Sequence, residues 1–250
     1  MNHKETFMKN KSVLVTGASR GIGKACALVF ARHGYQVFIN CKSSLGELHL
    51  VRDEILSHGG MCQCVPGDIS RSSDVACIFQ QISNTCGGLD VLVNNAGVAY
   101  IGLLTDMTDT DWETVLGTNL SSVFYCSRAA VPYMVSKKSG RIVNISSMWG
   151  TSGASCEAAY SAAKSGVNGL TRALAKELAP SNIQVNAIAC GVIDTAMNAQ
   201  LSEEDRLLLM DEVPAGRFGT PEEVAELVID LAEHHNYMTG QVIGLDGGFI

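Results

Sequence analysis

The stretch Thr16-Gly17-Ala18-Ser19-Arg20-Gly21-Ile22-Gly23 constrains this chain more than any other. It follows a short apolar run, Ser12 to Val15, and opens a pattern that is apolar at Ile22, Ala25, Cys26, Val29 and Phe30. That spacing marks the buried face of a helix. Gly34 can take the left-handed conformation that ends it. The glycines therefore fall at a strand-to-helix turn, where the helix N-terminus offers free N–H groups and the positive end of its dipole to an anion. Glycine lets the chain turn sharply and lets a pyrophosphate approach the backbone. Glycine spacing alone is also met in plain tight turns, but here the strand before and the helix after supply the context. A P-loop does not fit, because Gly17 and Gly23 enclose five residues rather than four, and Ala25 follows Lys24 where a magnesium-binding Ser or Thr is needed.

Strand and helix patterns alternate along the rest of the chain. Strands are predicted at Gln36–Cys41, Met61–Val65, Val91–Val93, Arg141–Ile145, Ile183–Ala189 and Gln241–Leu245. Between them lie helical patterns, among them a long stretch from about Asp111 to Val135, another over Ala158–Leu178, and one that Pro221 starts. This order predicts an α/β fold: a doubly wound parallel sheet of about seven strands with helices on both faces, and ligands outside the carboxyl ends of the strands. No linker, low-complexity tract or long repeat interrupts residues 1–250, which read as a single domain.

Hydrophobic residues make up 46% of the 250 and charged residues 17%, enough for a sizeable core. The net charge of −7 argues against nucleic acid or a membrane surface as partner, although Lys137-Lys138 forms a local basic pair. No apolar run approaches the roughly 20 residues that cross a bilayer. Nine cysteines, an odd number, follow a polar start from Met1 to Lys11, which predicts reduced thiols in a cytoplasm rather than a disulfide framework. Cys62-Gln63-Cys64 has no second ligand pair nearby, so it reads as alternate core positions on a strand and no metal is expected. His234-His235 is expected to face solvent at a helix end.

The second strand ends in Asn40-Cys41-Lys42-Ser43, without the carboxylate that binds the ribose hydroxyls of NAD. Lys42 and Arg20 can neutralise a 2′-phosphate, which predicts NADPH/NADP as cofactor; plain solvated cations are the alternative. Asp68 is placed to accept a hydrogen bond from an adenine amino group, or is simply a turn residue. Tyr160 and Lys164 lie four apart on one helix face. A tyrosine hydroxyl titrates near 10, and a neighbouring ammonium is expected to lower that value toward the working pH. Ser147, at the end of the fifth strand, can hydrogen-bond a substrate carbonyl, and Asn119 can hold a water that links Lys164 to solvent.

Thr16-Gly17-x-x-x-Gly21-Ile22-Gly23, Asn94-Asn95-Ala96-Gly97, Asn119, Ser147, Tyr160-x-x-x-Lys164 and Gly191 with Thr195 together resemble the short-chain dehydrogenase/reductase family, over about Lys11 to Ile250. The resemblance implies a Rossmann-type fold with Tyr160 as general acid, Ser147 orienting the carbonyl, Lys164 binding the nicotinamide ribose and tuning Tyr160, and Asn119 holding the relay water. It implies a cofactor path along Gly17, Ser19, Arg20, Gly21, Ile22 and Gly23, then Cys41 and Lys42, Asp68 and Ile69, and Asn95, Ala96 and Gly97. The path ends at Tyr160, Lys164, Gly191, Ile193 and Thr195. Cys190-Gly191 replaces the family's usual Pro-Gly; a looser turn or an oxidisable thiol is one consequence, a tolerated small substitution the other.

Ser19 to Gly23, Pro214 to Gly219 and Thr239-Gly240-Gln241 through Asp246-Gly247-Gly248 are similar to the β-ketoacyl-acyl-carrier-protein reductases. Where those enzymes hold the acyl carrier protein with two arginines, this chain has Lys138 and Ser181. Ser146 to Gly150 and Gly153 to Glu157 are similar instead to reductases of the aminopentanone modification of elongation factor P, whose substrate carries an ammonium that Glu157 can pair with. As a first-turn carboxylate, Glu157 also suits a plain helix start. The substrate candidates are Met148, Trp149, Glu157 and Met197, under a lid within residues 194–213 whose Ser202-Glu203-Glu204-Asp205 starts a short helix with Leu201, Leu207, Leu208 and Met210 on its apolar side. A hydroxysteroid or polyol dehydrogenase would use the same catalytic set, whereas a non-catalytic NADP sensor would not need it. The family resemblance further implies a homotetramer, joined through the two long helices and the last strand. Ala159, Ala162, Ala163 and Gly166 allow close packing of facing helices, or internal packing.

Overall fold

In the computed structural model, residues 10–196 and 202–250 are described. Seven strands, β1 (Ser12–Val15), β2 (Gln36–Ile39), β3 (Met61–Cys64), β4 (Val91–Asn94), β5 (Gly140–Ser147), β6 (Ile183–Cys190) and β7 (Val242–Leu245), form one sheet in the order β3-β2-β1-β4-β5-β6-β7. Every pairing is parallel, with Val13 beside both Val37 and Val91 in the central register.

The two-residue strand period divides the core. Val13, Val15, Val37, Ile39, Val143 and Ile145 face one layer, packed by α1 (Gly21–Arg32), α2 (Leu45–Ser57) and α9 (Pro221–Glu233). Their alternates Leu14, Phe38, Leu92 and Ile142 face the other, packed by α3 (Ser72–Cys86), α5 (Ser122–Lys137) and α7 (Ala158–Leu178). A parallel sheet covered on both sides reads as unbroken apolar runs, which is how these strands read. Helix ends follow their local chemistry. Thr220 and Glu223 cap each other's backbone at the start of α9, Gly87 closes α3 at φ +76°, and Gly34 follows α1 at φ +78°.

Three expectations shift. β2 and β3 stop one or two residues earlier than predicted, whereas β5 runs on to include Ser147. The single long helix is two, α4 (Asp109–Leu116) and α5, joined by a π turn over Gly117–Ser121 that contains Asn119. A π turn inserts one residue into a helix and is frequent at functional sites. Two short helices were not anticipated, α6 (Trp149–Ser152) and a 3₁₀ turn at Leu104–Asp106. Ala159 and Ala163 are fully buried inside the protomer, so internal packing accounts for them. Cys62 and Cys64 are half-buried on an edge strand and pack against the core. His234 Nδ1 and His235 Nε2 lie 2.9 and 2.6 Å from the Asp230 carboxylate, with both rings partly in solvent. No helix among the described residues is long and apolar enough to cross a membrane.

Phe30 is fully buried and meets the Tyr35 ring edge-on at 4.9 Å. Phe30→Ala should destabilise the fold by about 3–5 kcal/mol through lost burial and a residual cavity. Urea unfolding should show this as a lower midpoint with an unchanged slope.

Candidate active site

The strand order reverses between β1 and β4, so the loops leaving their carboxyl ends diverge and open a crevice. Two side chains hold the two loops together at its base. Thr16 Oγ1 accepts hydrogen bonds from the backbone N–H groups of Asn95 (3.0 Å) and Ala96 (3.1 Å), while Asn95 Nδ2 donates to the Thr16 and Gly17 carbonyls at 2.9 and 3.2 Å. Asn95, expected along the cofactor, thus has its amide engaged in bracing the glycine turn. A Cβ at Gly17 (φ +64°) would lie 2.8 Å from Ala96 Cα, and one at Gly23 would overlap the Gly17 carbonyl. Gly21 (φ +55°) faces Thr195, with room for a Cβ 3.4 Å from Cγ2. Ser19 is half-buried beside it, Ile22 packs on the core, and the first turn of α1 carries no acidic residue.

Toward β2, Lys42 Nζ pairs with Asp68 Oδ2 at 2.9 Å, and Arg20 approaches Glu47 at 3.4 Å; both cations stay largely in solvent. Burial works to raise the Asp68 carboxyl, but bonds from Lys42 and Ser70 outweigh it and hold it below its ordinary range. Cys41 and Ile69 are buried behind this edge. Two residues here escaped the sequence reading. Glu47 sets a carboxylate beside Arg20, and the buried Asn40 amide donates to the Val65 and Gly67 carbonyls, fixing the loop that carries Asp68. An asparagine at a strand end was the available signal for the second.

The side chains expected to be catalytic, Ser147, Tyr160 and Lys164, are carried by β5 and α7. Lys164 is 4% exposed. Its Nζ donates to the Ile145 carbonyl at 2.8 Å and sits 5.4 Å from the centre of the Tyr160 ring. Burial pushes this ammonium down to about 8. Tyr160 is raised instead of lowered: burial leads, the charges of Cys190 and Glu157 add to it, and the hydrogen bond with Ser147 works the other way. Desolvation of a phenolate therefore outweighs the Ser147 bond, the reverse of the lowering expected from a neighbouring ammonium. Ser147 Oγ accepts from the Trp149 N–H at 3.2 Å, which turns its own hydrogen elsewhere.

Asn119, fully buried in the π turn, donates to the Val98 and Val115 carbonyls at 2.8 and 2.9 Å and accepts from the Val98 N–H at 3.2 Å. Both amide hydrogens are engaged, so its side chain has only an Oδ1 lone pair with which to meet a water. A Cβ at Gly97 would lie 2.6 Å from Asn119 Oδ1 and 3.8 Å from Lys164 Nζ, so only glycine fits where this loop passes the lysine.

Of the substrate candidates, Met148 is buried, its N–H bonded to the Cys190 carbonyl at 2.9 Å, and it belongs to the frame. Trp149 is half-buried and meets the Phe249 ring edge-on at 5.7 Å. Phe249 lies a hundred residues away in sequence and was not anticipated. Glu157 is half-buried, burial raises its carboxyl, and its side chain has no hydrogen-bond or ion-pair partner among the described residues. Met197 and Leu201 lie outside the described residues. Cys190 is buried, with its thiol pushed up to about 12, which removes it from surface oxidation chemistry. A Cβ at Gly191 would lie 2.6 Å from Asp246 Cα, and Ile193 bridges to Gly219. Beyond it α8 (Glu203–Glu212) is tied back by Arg206, which pairs with Asp194 at 2.9 Å and stacks 4.7 Å from the Phe218 ring. Leu207 and Leu208 on α8 are exposed, not packed.

The model of the short chain dehydrogenases matches residues 11–206. The chain belongs to the short chain dehydrogenase family. It is 40% identical over 244 residues to the 3-oxoacyl-[acyl-carrier-protein] reductase FabG of Thermotoga maritima, covering 97% of this chain and 99% of that protein. It is also 40% identical to the protein of that name from Staphylococcus aureus, over 95% of this chain and 97% of that one. A solved structure of a provisionally assigned gluconate dehydrogenase from Agrobacterium tumefaciens superposes with a TM-score of 0.92 at 34% identity, covering 96% and 95% of the two chains. As a short chain dehydrogenase, the protein is an oxidoreductase of CH–OH and C=O groups that uses a nicotinamide cofactor.

Lys164 binds a proton less readily in the folded dehydrogenase than in the unfolded chain, since its value falls from 10.5 to about 8. Between those values the unfolded state holds more protons, so this group makes stability rise with pH. The buried thiols Cys26, Cys126 and Cys190 are raised and pull the other way above about pH 9. Lys164→Met should therefore lose stability more steeply than the unmodified protein from pH 8 to 10, as read by urea unfolding across that range.

Proposed function

We propose that this protein is a cytoplasmic, NADPH-dependent reductase that converts a ketone to a secondary alcohol, with a carrier-linked 3-oxoacyl group as its substrate class. The observation that carries the reading is the convergence of Ser147, Tyr160 and the buried Lys164 beside a glycine-lined crevice. Similarity to the two FabG proteins over nearly the whole chain supports the substrate class. The residues fit a dinucleotide. Gly21 leaves a cradle against Thr195, and the first turn of α1 presents its N–H groups with no carboxylate to repel a pyrophosphate. Lys42 and Arg20 support a 2′-phosphate, with Glu47 and Asp68 as their present counter-charges.

A bound nicotinamide supplies the hydride. Tyr160, held protonated by burial, donates its proton to the substrate oxygen as negative charge develops there. Ser147, whose lone pair takes the Trp149 N–H, gives its own hydrogen bond to the same oxygen. Lys164 stabilises the phenolate left behind and, titrating near 8, returns a proton to it close to neutrality. Tyr160→Phe should lower kcat by about 10²–10⁴-fold while leaving the NADPH dissociation constant nearly unchanged, since the hydroxyl is aimed at substrate. Near-normal turnover would remove Tyr160 as the acid. Lys42→Asp should weaken NADPH at least 10-fold, about the loss of one charge-assisted bond, and spare NADH; fluorescence titration of both nucleotides at fixed salt reads this directly.

One observation favours a second reading. The unpartnered, half-buried Glu157 carboxylate lies one turn before Tyr160 and suits a substrate ammonium such as that of aminopentanone-modified elongation factor P. Rates with a 3-oxoacyl carrier and with the modified factor separate the two, and Glu157→Gln should impair only the cationic substrate. We also propose a homotetramer. Trp112, Phe124 and Val135 are exposed along α4 and α5, and Tyr237 stands fully in solvent. Light scattering at micromolar concentration should show four chains.

A further inference from the structure

The buried amide of Asn168 grips the chain on both sides of Ser147. Asn168 lies on α7 one turn beyond Lys164 and is 3% exposed. Its Oδ1 accepts the hydroxyl of Ser146 at 2.7 Å, on the strand residue just before Ser147. Its Nδ2 donates to the Gly150 carbonyl at 3.0 Å, in the turn just after. Ser165 Oγ reaches the same carbonyl at 2.9 Å, and Ser146 Oγ also approaches the Lys164 carbonyl at 3.5 Å. The contact is close. A Cβ at Gly150 would lie 2.8 Å from the Lys164 carbonyl carbon and 3.0 Å from Asn168 Nδ2. The turn is held at its other end by Met148 N–H on the Cys190 carbonyl, and it carries the Trp149 N–H that orients the Ser147 hydroxyl.

We infer that Asn168 is a positioning residue, a clamp that sets Ser147 and its turn against the helix carrying Tyr160 and Lys164. The physical reason is that the two reacting hydroxyls come from different elements. Ser147 rides on the sheet and Tyr160 on a covering helix, and apolar packing between such layers is not directional. Hydrogen bonds are directional, and a buried amide with both ends satisfied fixes register and distance together. A shift of about 1 Å between such groups costs about 10²-fold in rate. Asn168 is buried, with its amide engaged by the 146–150 segment, and its effect runs through that segment.

The inference rests on the reductase reading above, so the test includes a readout that needs no turnover. Asn168→Ala and Ser146→Ala, singly and together, would be compared with the unmodified protein by kinetics with NADPH and a soluble 3-oxoacyl thioester, by NADPH titration and by amide hydrogen exchange. Asn168→Ala should lower kcat 10–100-fold, leave the NADPH dissociation constant within twofold, and speed exchange at residues 148–153 at least 10-fold relative to β1 and α1. The double variant should lose little more than Asn168→Ala alone, since the Ser146–Asn168 bond is already gone in the single variant. Ser165→Ala, on the exposed face of α7, removes only the second donor to Gly150 and should give a smaller loss with the fold retained, as checked by urea unfolding. Turnover within twofold of the unmodified protein, or a loss of turnover with exchange at 148–153 unchanged, would overturn the clamp. Absence of turnover in the unmodified protein would instead count against the reductase reading, and the exchange result would still decide the clamp.

Discussion

Everything at the working end of this molecule depends on the lock between Thr16 and Asn95. A doubly wound sheet opens a crevice where its strand order reverses, because the loops after β1 and β4 run in opposite directions. Left alone, those loops would separate. The Thr16 hydroxyl accepts two backbone N–H groups from the β4 loop, and the Asn95 amide returns two bonds to the β1 turn. Gly17 and Gly23 let the backbones come close enough for this, since a side chain at either would strike its neighbour. The two loops are thereby joined beside the N-terminus of α1.

A second constraint works at the chemical end. Lys164 is a buried cation whose mapped hydrogen bond goes to the Ile145 carbonyl, and burial lowers its affinity for a proton. Tyr160 lies against it and is raised by the same desolvation. The two shifts run in opposite directions because one group is charged when protonated and the other when deprotonated. A helix places them together at i and i+4, but only the sheet beneath supplies the carbonyl and the dry surroundings that tune them.

Polar groups inside the fold serve geometry more than stability. The buried asparagines 40, 119 and 168 each have their amides engaged by backbone carbonyls of a neighbouring loop or turn. Apolar layers give the cohesion, split cleanly into two sets by the strand period. The asparagine bonds set the register between layers, which burial alone leaves loose.

The sequence by itself determined the strand order along the chain, the parallel sheet, the glycine turn, and the placement of Ser147 at a strand end with Tyr160 and Lys164 on one helix. These are local properties: strand and helix periods, capping residues, and an i, i+4 pair on one helix. What local pattern could not show was any quantity set by neighbours distant in the chain. The π turn at Asn119 interrupts a helix that reads as continuous, because its amide is drawn toward Val98 on another loop. Met148 reads as a substrate contact beside Ser147 but faces the interior, while Phe249, from the far end of the chain, meets Trp149. The direction of the Tyr160 shift was misjudged for the same reason. An ammonium four residues away is visible in sequence, but desolvation is a property of the whole packed environment, and only the tertiary structure shows that it leads at Tyr160.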